Sequence, residues 1–150
     1  MHTKSTMPVF RELDAAESHA LLARQRVGRI AYSYHDRVDI EPLSYVYDAG
    51  WIFARTSIGA KLSSLAHHPW CAFEVDDVQG IFDWTSVVVK GSLTLLDPVT
   101  SGAAYARATE LLAKLIPETF TPDDPTPQRS ILIGIFIDTT TGRACASAPA

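Results

Sequence analysis

A chain of 150 residues with 47% hydrophobic and 20% charged side chains can hide roughly two-thirds of its surface in one core and is too short for a second full domain, so 1–150 is read as a single unit. Thirteen Lys plus Arg against 17 Asp plus Glu leave a net charge of −4, and no basic run could lay a positive stripe along a polyanion, so nucleic acid is not an expected partner. No apolar stretch approaches the ~20 residues that cross a bilayer, the polar start lacks a signal-peptide core, and two cysteines without a CxxC pair make neither a disulfide scaffold nor a zinc site, which together predict a soluble cytoplasmic protein.

Asp14 followed three residues later by Glu17 predicts a capping box opening a helix that runs to about Arg24. Past Gly28, residues 29–34 alternate Ile30, Tyr32 and Tyr34 against Arg29, Ala31 and Ser33, the period of a strand with one buried face. His35-Asp36-Arg37 is a turn into a longer strand over 38–47. There the apolar residues sit on even positions before Pro42 and on odd ones after it. A phase slip at a proline predicts a bulge or an unpaired edge.

Asp48-Ala49-Gly50 closes a hairpin into an aromatic strand at 51–55, and 60–67 has helical spacing ended by His68-Pro69. Strands follow at 70–75 and 84–96, the second with Gly91 as a bend, then an amphipathic helix at 101–116. Pro117, Pro122, Pro125 and Pro127 forbid regular structure after it. A last strand covers 131–137, and 139–150 reads as a mobile or partner-bound tail. Short hairpins require antiparallel pairing. About six such strands are closed most economically as a small barrel with peripheral helices plugging its ends, a mainly β fold.

Three segments carry candidate chemistry. In the first, the strand ends in Arg55, Thr56 and Ser57 and the next helix opens with Gly59 and Lys61. Two cations and two hydroxyls beside unpaired helix amides suit a phosphate; alternatively Ser57 merely caps the helix and both cations are solvated. In the second, Pro42, Leu43, Ser44 and Tyr45 offer irregular backbone to a planar heterocycle, or else form an edge strand with Pro42 as an aggregation guard. In the third, Trp84 and Ser86 open a strand, where Trp84 serves either the core or a ligand.

The adjacent His67 and His68 point to different sides of a helix and cannot ligate one metal as an i, i+4 pair does. Glu74, Asp76, Asp77 and Asp83 have no EF-hand spacing. No metal site is expected, and no side chain is assigned as a catalytic acid, base or nucleophile.

In order and spacing, these segments together resemble the FMN-binding split-barrel family related to pyridoxamine phosphate oxidase, in its short bacterial branch. The matching pieces are Val27-Gly28-Arg29-Ile30-Ala31, Pro42 through Asp48, Phe53 through Leu62, Pro69 through Asp76, Trp84 through Gly91, and Thr141-Gly142-Arg143. The resemblance implies a six-stranded antiparallel split barrel acting as a homodimeric oxidoreductase on an unidentified small-molecule substrate, with FMN in grooves between subunits. It implies that Arg55, Thr56, Ser57 and Lys61 hold the ribityl phosphate, that Pro42, Leu43, Ser44 and Tyr45 line the isoalloxazine, and that Trp84 and Ser86 face the same groove from the neighbouring subunit. Some relatives take a deazaflavin in place of FMN, and a non-catalytic flavin-binding or sensing protein is the alternative from another class. The chain has little room for the extended C-terminal substrate region of the vitamin-B6 oxidases.

Overall fold

The computed structural model describes residues 6–57 and 59–149. The chain order is β1 (Thr6–Glu12), α1 (Ala15–Arg24), β2 (Val27–Tyr34), β3 (Arg37–Asp48), β4 (Trp51–Thr56), α2 (Ala60–His67), β5 (Trp70–Gly80), β6 (Asp83–Leu95), α3 (Gly102–Leu115) and β7 (Ile131–Pro149). All strand pairs are antiparallel in one sheet of order β1-β7-β4-β3-β2-β5-β6, and an additional β7–β6 ladder closes it. Six strands therefore form the ring, with β1 added outside it along the second half of β7.

That second half corrects the expected tail. Residues 139–145 of β7 pair with β6, and Arg143–Pro149 pair with β1 from Glu12 back to Thr6. The stretch is a strand because both its edges find partners distant in sequence. One of those partners, β1, precedes the first expected helix and was itself not expected. β5 likewise outruns its expected end at residue 75 and reaches Gly80, held by the β6 ladder.

The capping box forms as expected: the Glu17 N–H donates to Asp14 Oδ1 at 2.8 Å and the Asp14 N–H to Glu17 Oε1 at 3.2 Å. α1 places Leu21 and Leu22, and α2 places Leu65, in the barrel-interior cluster with Ile30, Tyr45, Phe73, Val87, Val89 and Ile133. The buried Tyr45 hydroxyl donates to the Leu22 carbonyl at 2.6 Å and joins α1 to the barrel. α3 does not enter the barrel. Its Ala108 and Leu112 pack with Phe53, Leu96 and Leu132 in a second cluster, on the opposite face of β4 from Ile52 and Ala54.

At Pro42 the strand is regular. β2 and β3 stay in unbroken register from Tyr34↔Arg37 to Val27↔Ser44, so no bulge forms. Leu43 and Tyr45 face the interior, whereas Val38 and Ile40 lie in a ribbon exposed on both faces, which is why the apolar period changes sides. The open edge, in contrast, is present: among the described residues β4 covers only Tyr45 through Asp48 of β3, leaving 37–44 of β3 unpaired on that side. Gly91 marks a shift of register between β6 and β7, and a Cβ there would lie 2.1 Å from the Phe136 carbonyl oxygen. Only a glycine permits that approach.

Candidate functional site

Of the ten residues singled out from the sequence, four line one of two cavities. Ser44 and Arg55 line a small cavity bounded by the end of α3 and by the proline-rich segment after it. Trp84 and Ser86 line a cleft of about 570 Å³ with Glu12, Leu13, Val88 and residues 140–143, a volume in the usual range for a small-molecule site. Leu43 and Tyr45 are 3% and 1% exposed with side chains in the core, so only their backbone is available to a ligand. Pro42 is exposed on the open edge of β3.

Arg55 departs from expectation. It is not a solvated surface charge: it is 6% exposed and most of its fork is committed to the segment following α3. Nε donates to the Arg129 carbonyl at 2.9 Å, Nη1 to Asp124 Oδ1 at 3.3 Å, and Nη2 to Asp124 Oδ2 and to the Thr126 carbonyl. Phe120, held at a φ of 60° that a bulky residue rarely adopts, lays its ring 4.6 Å from the guanidinium carbon. Asp124 also accepts from the Phe120 and Thr126 N–H groups, both at 2.9 Å. The Arg55 hydrogen bond foremost, with those two amides, holds the Asp124 carboxyl down at about 2.

By strand alternation Thr56 takes the face opposite Arg55, and it is 3% exposed. Ser57 is exposed. Gly59 is the N-cap of α2 and no side chain caps that helix, so Ser57 is not its cap. The Lys61 side chain lies outside the described residues.

Around the larger cleft, Trp84 meets Phe10 of β1 in a tilted contact with centroids 6.2 Å apart. The Ser86 hydroxyl donates to Glu74 Oε2 at 2.8 Å. Arg29 lies 3.5 Å from both Glu74 and Asp76. Burial, helped by the neighbouring Asp76 and opposed by Ser86 and Arg29, pushes the Glu74 carboxyl above its ordinary range. Of the acidic group, Glu74 and Asp76 thus share Arg29, whereas Asp77 pairs with Arg24. Among the described residues no three His, Cys, Asp or Glu side chains converge on a metal position.

Asp124, Phe120, Thr126 and Arg129 were not singled out from the sequence. The signal available was indirect: an arginine ending a strand of buried residues needs a carboxylate. Asp124 lies 69 positions away among four prolines, and nothing local distinguishes it from the other acids.

A six-stranded antiparallel ring closed through β7 and flanked by short helices defines a split barrel of the flavin-binding type. The chain belongs to the pyridoxamine 5′-phosphate oxidase family, whose pattern matches residues 14–144. It is similar to the crystal structure of a FAD-binding protein from Mesorhizobium loti at 27% identity and a TM-score of 0.72, covering 93% of this chain and 99% of that one. A conserved protein of unknown function from Corynebacterium diphtheriae is 26% identical with a TM-score of 0.68, over 91% and 98% of the two chains. The fold is shared with a FAD-binding protein from Mycobacterium smegmatis at 24% identity and a TM-score of 0.67, over 90% and 98%. Against curated proteins the sequence finds no match.

Proposed function

We propose that the chain is an FMN-dependent oxidoreductase acting as a cytoplasmic homodimer. The observation that carries the reading is the cleft bearing Trp84 and Ser86, on a barrel of a family whose similar structures include proteins described as FAD-binding. The open edge of β3 at 37–44 supplies backbone donors and acceptors for a planar heterocycle, with Pro42 and Ser44 beside it. The exposed Ser57, the start of α2 and Lys61 suit a phosphate, with Thr56 at the strand end. Arg55, paired with Asp124, is not part of that set.

FMN, when bound, supplies hydride or electron transfer. The protein's own contribution is to orient the cofactor, anchor its anionic end and exclude water, with Trp84 and Ser86 contributed by the second subunit. Dimerisation is supported by apolar surface exposed on the β2–β3 ribbon and the β5–β6 turn, where Val38 is 82%, Ile40 62% and Ile81 83% exposed. No helix among the described residues is long and apolar enough to cross a membrane.

The test is the visible spectrum of freshly purified protein and its titration with FMN, a deazaflavin and riboflavin. The reading expects a yellow protein, an FMN-dependent rise in Tm, and loss of FMN in Lys61→Ala and Ser57→Ala with folding retained. Stopped-flow reduction by NADH or NADPH then separates an oxidoreductase from a flavin-binding module. A preparation that takes up none of the cofactors refutes the proposal, as does a monomer saturated with FMN by sedimentation.

A further inference from the structure

We propose that the small, partly open cavity between β3, β4, the end of α3 and segment 116–130 is an oxyanion site, taking one tetrahedral oxyanion either free or as the end group of a phosphomonoester. The cavity measures about 50 Å³; its lining joins the apolar end of α3, from Leu112 to Ile116, to the polar Ser44, Arg55, Thr119, Thr126 and Arg129. A single water needs only ~10–15 Å³ of such space. The volume therefore admits a compact polyatomic ion or a few waters, and no nucleobase or flavin ring.

Thr119 points to an occupant. It is 8% exposed, and its Oγ1 is, among the described residues, the buried side-chain oxygen with no hydrogen-bond partner. Native proteins rarely leave a buried hydroxyl unanswered unless water or an ion answers it. This one borders a space that also receives the Ser44 and Thr126 side of the wall and two arginines.

Charge decides which occupant. Asp124 neutralises one arginine through its pairing with Arg55. Arg129 makes no ion pair among the described residues, so the balance around the cavity is one positive charge. Glu118 and Asp123, the other acids of the segment, are exposed. Arg55 uses four of its N–H groups on the protein, leaving one of a guanidinium's five donors. Hydroxyls and forked cationic donors around a compact volume match an oxyanion better than they match neutral water.

This site is separate from the phosphate corner at Ser57 and Lys61 in the proposed function, and it shares only Ser44 with the flavin reading. The experiment uses flavin-free protein titrated with inorganic phosphate and with sulfate, by calorimetry and by Tm, against chloride at matched ionic strength. Saturable binding with a Tm that rises with phosphate concentration is expected. Thr119→Val and Arg129→Gln should each weaken it tenfold or more, whereas Arg107→Gln, a surface variant on α3, should leave it unchanged. Thr119→Val removes an unpaired hydroxyl and is expected to fold at least as well as the parent, so a loss of binding there is not a loss of structure.

Competition by FMN but not by riboflavin would make the flavin's phosphate the occupant. Undiminished phosphate binding in FMN-loaded protein would make it a free oxyanion. Both outcomes support the site. Absence of saturable phosphate binding, or equal affinity in the parent, Thr119→Val and Arg129→Gln, overturns it. Protein that binds phosphate here but no flavin sinks the proposed function and leaves this inference standing; the converse result does the opposite.

Discussion

Arg55→Ala separates two roles for the same guanidinium. In the structure both partners of the pair are out of water, with the Arg55 side chain 6% and the Asp124 side chain 2% exposed. The substitution leaves the carboxylate with the Phe120 and Thr126 amides and no cation, strips donors from the Thr126 and Arg129 carbonyls, and removes what Phe120 stacks on. Loss of one member of a buried pair belongs to the costliest class of single substitutions, and in a chain of this length it corresponds to a fall in Tm of roughly 10 °C. The pH dependence follows from the depressed Asp124 carboxyl, which falls from an ordinary 3.8 to about 2 on folding. Its contribution is fully present above pH 3.8 and is lost as pH drops through about 2. The gap between parent and variant should therefore be widest near neutrality and narrow across that window. Circular-dichroism melts at pH 7, 4 and 2.5 measure it. The double variant Arg55→Met/Asp124→Leu, which leaves no buried charge, should recover most of the loss. If Arg55→Ala melts within about 2 °C of the parent at pH 7 while losing FMN, the guanidinium is a cofactor ligand and the structural reasoning is wrong.

Three further outcomes are expected. Gly91→Ala puts a methyl 2.1 Å from a backbone oxygen that no rotamer can move aside, so it should cost about 3 kcal/mol or more by chemical denaturation; a midpoint equal to the parent's would show that the β6–β7 register relaxes easily. Tyr45→Phe deletes the hydroxyl that bonds the Leu22 carbonyl and should cost about 1 kcal/mol, seen as a Tm lower by roughly 2–4 °C. Burial pushes the Cys71 thiol up to about 11, and Cys145 is buried as well, so iodoacetamide at pH 8 should label neither in the folded protein within the time that labels both in urea; rapid labelling of Cys71 in native conditions, read by mass spectrometry, contradicts the packed barrel interior.

What the sequence made legible was local or periodic. Asp14 and Glu17 form their capping box because both partners lie within one turn, and Gly91 marks an irregularity because a missing side chain is visible in a string of letters. The alternation of 84–96 and the nearly all-apolar run of 131–137 marked two of the ring's strands. What stayed hidden depends on contacts between distant segments. Residues 139–149 read as a tail because Thr, Gly, Arg and Ala lack a hydrophobic period, yet they form a strand once β6 and β1 supply backbone partners on both edges. Exposure explains the false phase slip at Pro42: alternation identifies a strand's faces only where one face is buried, and residues 37–42 belong to a ribbon with almost no buried face.

The candidate site was legible in the same uneven way. Alternation along β4 puts the Arg55 and Thr56 side chains on opposite faces of the sheet, a constraint that the expectation of both at one phosphate overlooks. The residues that claim Arg55 could not be read, because the proline-rich segment carries no period and its one buried acid is set by tertiary packing. That segment turns a cation that looked available into part of a buried network. It also brings Arg129 and Thr119 to the wall of a small cavity beside that network. The proline-rich stretch, which carries no readable period, is thus what takes the Arg55 guanidinium out of water.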